Sequence, residues 1–181
     1  MSRRSFDVVT AVDEGLGIGA GGDLPWRLRS EMAYFVELTR TASEGKRNAV
    51  FMGRVNWEAI PPKYQPLSGR LNVVLTRRPG YEVPDGVLAA GSIEEALDTL
   101  GAPPWDREIE RVFCVGGGNI YAQALDLPEC ERLYVTRVRA RFDCDTFFPA
   151  FEDRFELESI ARHGRDGDID WEAQVWRRKR R

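Results

Sequence analysis

The chain has 181 residues, with 26 Lys and Arg against 29 Asp and Glu and a formal net charge of −3. This length fits one domain with a sizeable core and is short for two, so we expect a single domain over 1–181 whose core spans about 6–178. The charge is small and interspersed, and no apolar run approaches the roughly 20 residues of a bilayer span, so we expect neither a nucleic acid partner nor a membrane partner.

The chain alternates between strand and helix patterns, without an internal repeat. The β-branched run Phe6–Val12 is too continuous for a half-exposed strand and indicates one buried on both faces. Pro61 and Pro62 end a helical turn, and Ser92 with Glu95 has the spacing of a capping box. In chain order we predict a strand at 6–12, a helix at 28–39, a strand at 48–52, a helical turn at 57–60, a strand at 71–76, a helix at 92–100, a strand at 111–115, a helix at 119–125 and a strand at 132–138.

The C-terminal part predicts a hairpin. Segments 155–163 and 170–178 read as strands, and they are joined by a stretch containing Gly-Arg-Asp-Gly-Asp. Strand–helix alternation followed by a hairpin implies an α/β fold with a mostly parallel central sheet of about eight strands, flanked by helices, and a C-terminal antiparallel hairpin. Segments 77–86 and 101–107 are expected to be connections within that fold.

Cysteine and histidine predict little chemistry. Cys114, Cys130 and Cys144 are odd in number and widely spaced, which argues against a disulfide framework and for a reducing, cytoplasmic location. His163 is the only histidine, so we expect no metal site and interpret it as a late-strand or turn residue without a role. Residues 1–4 lead directly into a strand pattern, without the apolar core of a signal peptide.

A glycine loop and one carboxylate stand out near the N-terminus. Segment 17–26, Gly-Ile-Gly-Ala-Gly-Gly-Asp-Leu-Pro-Trp, places a mobile loop and an indole just before the predicted helix 28–39. Glu31 lies on or beside the apolar stripe of that helix, where a carboxylate needs donors from the protein or a ligand and where burial raises its pKa. A role limited to the helix dipole is the simpler alternative, and Arg27 could also reach this carboxylate. The stripe expected to be buried consists of Leu28, Met32, Phe35 and Leu38.

Three features at predicted strand ends indicate a phosphate-rich ligand. The run 115–119, Val-Gly-Gly-Gly-Asn, leads from a strand into a helix, where backbone amides and the helix N-terminus suit a pyrophosphate. It is not the dinucleotide fingerprint, because Tyr121 takes the place of the third glycine and no acidic residue stands where a ribose would be held. Arg54 and Arg77 each follow a strand, and guanidinium groups match a phosphate monoester. Taken singly, a tight turn and solvated arginines remain the alternatives.

From about residue 6 to residue 178 the chain resembles dihydrofolate reductases in the order and spacing of short motifs. The resemblance implies that fold and NADPH-dependent reduction of 7,8-dihydrofolate to 5,6,7,8-tetrahydrofolate for one-carbon metabolism, with the hydride added to C6 and the proton to N5. It further implies binding of antifolate inhibitors, and we expect a monomer. The motifs are 17–19 (Gly-Ile-Gly), 23–26 (Asp-Leu-Pro-Trp), 51–54 (Phe-Met-Gly-Arg), 57–61 (Trp-Glu-Ala-Ile-Pro), 66–70 (Pro-Leu-Ser-Gly-Arg), 115–118 (Val-Gly-Gly-Gly), 135–137 (Val-Thr-Arg) and 145–149 (Asp-Thr-Phe-Phe-Pro).

For the catalytic residues, the resemblance implies that Glu31 accepts hydrogen bonds from the pterin 2-amino group and N3, assisted by the Thr136 hydroxyl. Trp26 would hold an ordered water near this carboxylate, and the loop carrying Leu24 would close over the site and admit the water that protonates N5. Arg70 would pair with the α-carboxylate of the substrate's glutamate tail. The remaining substrate-binding residues implied are Val9, Thr10, Ala11, Met32, Phe35, Ile60, Leu67 and Val115.

For the cofactor, the resemblance implies that Ala11 and Ile18 offer backbone groups to the nicotinamide carboxamide, with Tyr121 beside the ring. It also implies a cis peptide between Gly116 and Gly117. Pyrophosphate contacts are expected from Gly117, Gly118, Asn119 and Ile120, contacts to the 2′-phosphate from Arg54, Thr76 and Arg77, and further cofactor contacts from Gly53 and Asn56. Asn56 stands where the family usually has threonine, and Met32 where many members have an aromatic residue.

Two other functions share this fold class. One is the pyrimidine reductase of riboflavin biosynthesis, which Glu31, Trp26 and the Arg70 motif fit less well. The other is a non-catalytic NADP(H)-binding protein, against which the full set of site residues argues.

Overall fold

A computed structural model describes residues 3–180 of the chain. The prediction that residues 1–4 lead into a strand without a signal peptide falls partly on Met1 and Ser2, which lie outside the described residues. In chain order the elements are β1 (Phe6–Val12), β2 (Gly17–Gly19), α1 (Arg29–Arg40), β3 (Arg47–Gly53), α2 (Arg54–Glu58), a 3-10 turn (Pro62–Tyr64), β4 (Leu71–Leu75), β5 (Leu88–Ala90), α3 (Ile93–Leu100), α4 (Trp105–Glu108), β6 (Ile109–Cys114), α5 (Gly118–Leu125), β7 (Cys130–Val138), β8 (Thr146–Phe147), β9 (Phe155–Asp166) and β10 (Ile169–Arg178).

Over residues 3–180 the main sheet has eight strands in the order β5-β4-β3-β6-β1-β7-β10-β9. The pairs from β5 to β7 are parallel, whereas β10 is antiparallel to both β7 and β9. The predicted α/β class, the mostly parallel sheet and the C-terminal antiparallel hairpin are therefore confirmed. In the described part of the chain, no helix is both long enough and apolar enough to cross a membrane.

Several predicted boundaries were wrong. The helical turn expected at 57–60 begins at Arg54, and segment 101–107, expected to be a plain connection, contains the start of α4. The hairpin strands are longer than predicted, because Gly167 takes a left-handed φ of 60° and so allows a tight turn after Asp166. The short strands β2, β5 and β8 were not predicted, since two or three residues carry no readable periodicity.

Helices cover both faces of the sheet, which explains the continuous apolar strands. Alternate residues of β1 point to opposite faces: Val8 packs in a cluster that includes residues of α3 and α5, and Val9 in one that includes residues of α1 and α2. Both side chains are almost fully buried. The prediction that Phe6–Val12 is buried on both faces is thus confirmed in its essentials, with Asp7 and Ala11 half-buried.

The sheet opens between β1 and β6. These strands pair only at Asp7 and Val8, whereas β1 pairs with β7 along its whole length to Val12. Beyond Val8, the side of β1 that faces β6 is therefore free of strand partners, and the Tyr121 hydroxyl donates to the Val9 carbonyl there at 2.7 Å. Such an opening at the carboxyl ends of parallel strands is where α/β sheets bind ligands.

Candidate active site

One cleft of about 1670 Å³ lies at this opening. All the site residues predicted from the sequence line it, so the fold brings them together from positions spread over the chain. Those predicted for substrate and catalysis are Val9, Thr10, Ala11, Leu24, Trp26, Glu31, Met32, Phe35, Ile60, Leu67, Arg70, Val115 and Thr136. Those predicted for the cofactor are Ala11, Ile18, Gly53, Arg54, Asn56, Thr76, Arg77, Gly117, Gly118, Asn119, Ile120 and Tyr121.

Glu31 is the buried carboxylate of the cleft. Its side chain, in the first turn of α1, belongs to a residue only 7% exposed, and no donor within residues 3–180 forms a hydrogen bond to its carboxylate. Burial, and secondarily the charge of Asp166, raises the pKa of Glu31 from 4.5 to about 7. The expectation that Arg27 could reach Glu31 was wrong, because Arg27 points to solvent and pairs with Asp23 at 3.5 Å.

Two polar groups accompany Glu31 at the inner end of the cleft. Trp26 is almost fully buried beside Phe142, and its indole N–H has no acceptor among the described residues. Thr136 is buried in β7, where it stands opposite Ala11 of β1. An indole N–H without a partner at a ligand cleft is a position where a water or a ligand atom completes the hydrogen bonding.

The apolar stripe of α1 does not lie where the sequence placed it. Met32, expected in the buried stripe, is 44% exposed, and the buried residues of the helix are Glu31, Tyr34 and Thr39. The helix is rotated so that Met32 and Phe35 face the cleft. Part of the stripe therefore lines the cleft and not the protein core, a distinction that helical spacing alone does not make.

Arg70 is the buried cation of the cleft and lies just before β4. Its Nε donates to the Ser68 carbonyl and its Nη1 to the Thr39 hydroxyl, each at 2.9 Å. It is 7% exposed, and no carboxylate of residues 3–180 lies within 4 Å of it. Burial, followed by the nearby charge of Arg40, lowers the pKa of the guanidinium. A buried cation without a counter-ion favours binding of an anionic ligand group.

The glycine run places bare amides at the cleft. The Gly116–Gly117 peptide is cis, as the resemblance implied. Helix α5 starts at Gly118, and its first helical hydrogen bond is donated by the Tyr121 N–H to the Gly117 carbonyl at 2.8 Å. The N–H groups that precede Tyr121 in the first turn therefore have no helical acceptor. A Cβ on Gly118 would come within 2.8 Å of the Thr146 side chain, whereas one on Gly117 would meet nothing within 4 Å. The run thus combines tight packing with space for a ligand.

The two strand-end arginines lie side by side because β3 and β4 are parallel and register Gly53 opposite Leu75. Arg54 pairs with Glu58 at 2.7 Å, and Glu58 also accepts a hydrogen bond from the Tyr81 hydroxyl at 2.8 Å. Arg77 is exposed and makes no ion pair within the described residues. Sequence reasoning missed Glu58, although its i,i+4 spacing from Arg54 could have indicated the pair.

A second group missed by sequence reasoning is Asp166, at the end of β9. Its carboxylate accepts a hydrogen bond from the Ser30 hydroxyl at 2.6 Å and lies next to Glu31 in the fold. The two partners are 136 residues apart, so no local pattern could have revealed the contact.

A sequence model of the dihydrofolate reductase family matches residues 5–180. The dihydrofolate reductase of Drosophila melanogaster is 44% identical over 152 residues, which are 83% of this chain and 82% of that protein. The bifunctional dihydrofolate reductase-thymidylate synthase 1 of Arabidopsis thaliana is 47% identical over 153 residues, 83% of this chain but 30% of that protein. The chain thus spans less than a third of the length of such bifunctional relatives.

Among solved structures, the dihydrofolate reductase of Schistosoma mansoni matches with a TM-score of 0.85 and 32% identity, covering 98% of this chain and 100% of that one. Sequence and fold agree over nearly the whole length, and the matched region contains every residue that lines the cleft. The chain belongs to the dihydrofolate reductase family.

Proposed function

We propose that this chain, as one dihydrofolate-reductase-like domain, catalyses the NADPH-dependent reduction of 7,8-dihydrofolate to 5,6,7,8-tetrahydrofolate. The observation that carries the proposal is Glu31, a buried carboxylate that faces the cleft and accepts no hydrogen bond from residues 3–180. A pterin supplies the missing donors through its 2-amino group and ring N3. This pairing satisfies a carboxylate that would otherwise be costly to bury.

The second charge of the cleft supports a folate over a smaller pterin. Arg70 lacks a carboxylate partner among residues 3–180, and a folate offers the α-carboxylate of its glutamate tail. The apolar side chains between the two charges suit the flat pterin and aminobenzoyl groups. These side chains belong to Val9, Met32, Phe35, Ile60, Leu67 and Val115.

The residues of the remaining half of the cleft fit NADPH. The first amides of α5, which have no acceptor among residues 3–180, suit a pyrophosphate, and Arg54, Thr76 and Arg77 suit a 2′-phosphate. Ala11 has backbone groups on the open side of β1 that can hold a carboxamide. When bound, NADPH supplies the hydride that C6 of the substrate accepts.

Residues of the chain then promote protonation of N5 of the substrate. The charge of Glu31 makes the bound pterin more basic at N5, and the buried indole N–H of Trp26, which has no acceptor among the described residues, would hold a water near that carboxylate. Leu24, which is 44% exposed at the mouth of the cleft, belongs to the loop that would exclude bulk water. Orientation and electrostatics are therefore the protein's contribution.

The direct test is the loss of NADPH absorbance on addition of dihydrofolate. We expect turnover with dihydrofolate and none with a riboflavin-pathway pyrimidine, whose ring would leave Arg70 without a partner. Turnover of the pyrimidine alone would replace the proposal with the riboflavin-type reductase. Binding of NADPH without turnover of either substrate would replace it with the non-catalytic alternative.

A further inference from the structure

Helix α1, which carries Glu31, has no N-terminal cap from its own sequence. Leu28 occupies the N-cap position and forms no side-chain hydrogen bond. The cap comes instead from the C-terminal hairpin: the Asp166 carboxylate accepts hydrogen bonds from the Ser30 N–H at 3.0 and 3.1 Å and from the Ser30 hydroxyl at 2.6 Å. A carboxylate at this place satisfies first-turn amides and complements the helix dipole.

The hairpin holds Asp166 in a defined position. The indole N–H of Trp171, on β10, donates to the Ser30 hydroxyl at 2.9 Å, and the ring is almost fully buried. Trp171 lies over Gly164, where a Cβ would come within 2.1 Å of the indole, so the ring needs a glycine beneath it. Asp166 on β9 and Trp171 on β10 therefore both form hydrogen bonds with the Ser30 hydroxyl.

We propose that Asp166 is a positioning residue for Glu31: it anchors the first turn of α1 from the C-terminal hairpin and holds a fixed negative charge against the backbone of Glu31. The Glu31 N–H is 3.4 Å from the Asp166 carboxylate, so the two acidic residues are neighbours across this contact. A like charge nearby disfavours ionisation of a carboxyl group. The inference rests on the proposed role of Glu31 in binding the pterin.

The other ionisable groups around Glu31 do not cancel this charge. Arg162 of β9 lies near Tyr34 but pairs with Glu37 at 2.8 Å. Arg27 of the preceding loop pairs with Asp23. Tyr34 of α1 itself and Tyr121 of α5 are neutral near pH 7, and Arg165 pairs with Asp168 and Asp170. Arg29, the first residue of α1, is exposed.

The protonation states of the pair agree with this assignment. The hydrogen bond from Ser30 is the main cause that lowers the pKa of Asp166, which therefore stays charged in the neutral range. Asp166 is in turn the one charge that raises the pKa of Glu31, after burial. Removing the Asp166 charge should therefore move the titration of Glu31 to lower pH.

The test is Asp166→Asn, which keeps an acceptor for Ser30 but removes the charge. The Glu31 carboxyl is titrated directly in the ligand-free protein by carbon NMR of labelled glutamate, between pH 5 and 9, and the pH profile of kcat/KM is recorded beside it. We expect the Glu31 midpoint to fall by about half a unit. Asp168→Asn is the matched control, because it removes an equal charge from the same turn at a fully exposed position; its midpoint should stay at the wild-type value.

Ser30→Ala separates the anchor from the charge. This variant leaves Asp166 in place but removes the hydroxyl that both Asp166 and Trp171 bind. We expect a lower Tm with a nearly unchanged Glu31 midpoint. If Asp166→Asn does not fold, Asp166→Ser removes the same charge with a smaller side chain. The Glu31 midpoint measured in that variant is then the test, with the same expected fall.

An unchanged midpoint in Asp166→Asn, or an equal shift in Asp168→Asn, would overturn the inference. The proposed function fails differently: the wild-type protein would not turn over dihydrofolate, while the NMR midpoints could still respond to Asp166.

Discussion

The buried wall of the cleft, formed by Trp26, Glu31 and Arg70, differs from its rim, formed by the half-buried Arg54 and the exposed Arg77, in how far water reaches its polar groups. In the wall, a carboxylate and a guanidinium are each about 7% exposed and lack a counter-ion among residues 3–180. At the rim, Arg77 is exposed and Arg54 already pairs with Glu58. Charges in low dielectric interact strongly with a ligand, while exposed charges are screened. We therefore expect substitutions in the wall to have larger effects than substitutions at the rim.

The largest expected effect is that of Glu31→Gln on the reaction. At pH 7 the variant should lose about 10²–10³-fold in kcat/KM, because the amide lacks the charge that makes the pterin basic. Single-turnover measurements across pH should show partial recovery at acidic pH, where solution supplies more protonated substrate. Near-native turnover at pH 7 would remove Glu31 from the mechanism.

The same variant should gain stability at alkaline pH. The folded chain holds the Glu31 proton up to about pH 7, whereas the ordinary pKa is 4.5, so the ionised carboxylate lowers the stability of the wild type as pH rises through this window. Above it, Glu31→Gln should unfold with a free energy about 3 kcal/mol higher than wild type, and near pH 4.5 the difference should vanish.

Urea titrations at pH 5 and pH 8.5 measure this difference. Glu37→Gln is the control on the same helix, because its carboxylate is exposed and a hydrogen bond from Arg162 lowers its pKa. That variant should gain no stability at pH 8.5. An equal stability change in Glu31→Gln at both pH values would mean that burial does not raise the pKa of Glu31.

Arg70→Ala should raise the KM for dihydrofolate by about tenfold to a hundredfold, since it removes charge-assisted hydrogen bonds to the tail carboxylate. The kcat/KM for a dihydropterin without a tail should hardly change. Arg40→Ala, which removes an exposed neighbouring charge, is the control and should alter neither substrate more than about threefold. Equal losses on both substrates in Arg70→Ala would assign Arg70 to the fold instead of the tail.

At the rim, the double variant Arg54→Ala with Arg77→Ala should raise the KM for NADPH by about tenfold and leave the KM for NADH nearly unchanged. The effect should shrink as salt is added, because Arg77 is exposed and its charge is screened. Steady-state kinetics with both cofactors at low and high salt measure it. Equal use of NADH by the wild-type protein would contradict the 2′-phosphate assignment.

The smallest expected effect is that of Glu58→Gln. This carboxylate both holds Arg54 and repels a phosphate, and exposed pairs of this kind contribute little, so the KM for NADPH should change by no more than about twofold. A tenfold change would mean that the rim is as sensitive as the buried wall, and the contrast between the two would not hold.

Local patterns were enough to predict most of the fold. Continuous β-branched runs identify buried parallel strands because both faces of such strands are covered, as the structure has for β1. The glycine run before α5 and the arginines after β3 and β4 follow from chain order, because parallel strands bring their carboxyl ends to one edge. The same logic placed the predicted site residues around one cleft.

Tertiary structure alone decided which side chains are buried in that cleft and what they touch. Helical spacing placed Met32 in the core, but the rotation of α1 on the sheet exposes it to the cleft and buries Glu31. The contact of Asp166 with Ser30 depends on the register of the C-terminal hairpin, 136 residues along the chain. Propensity and periodicity report on neighbours within a few residues, whereas burial and long-range contacts depend on how whole elements pack. Burial and the contact with Asp166 are what raise the pKa of Glu31.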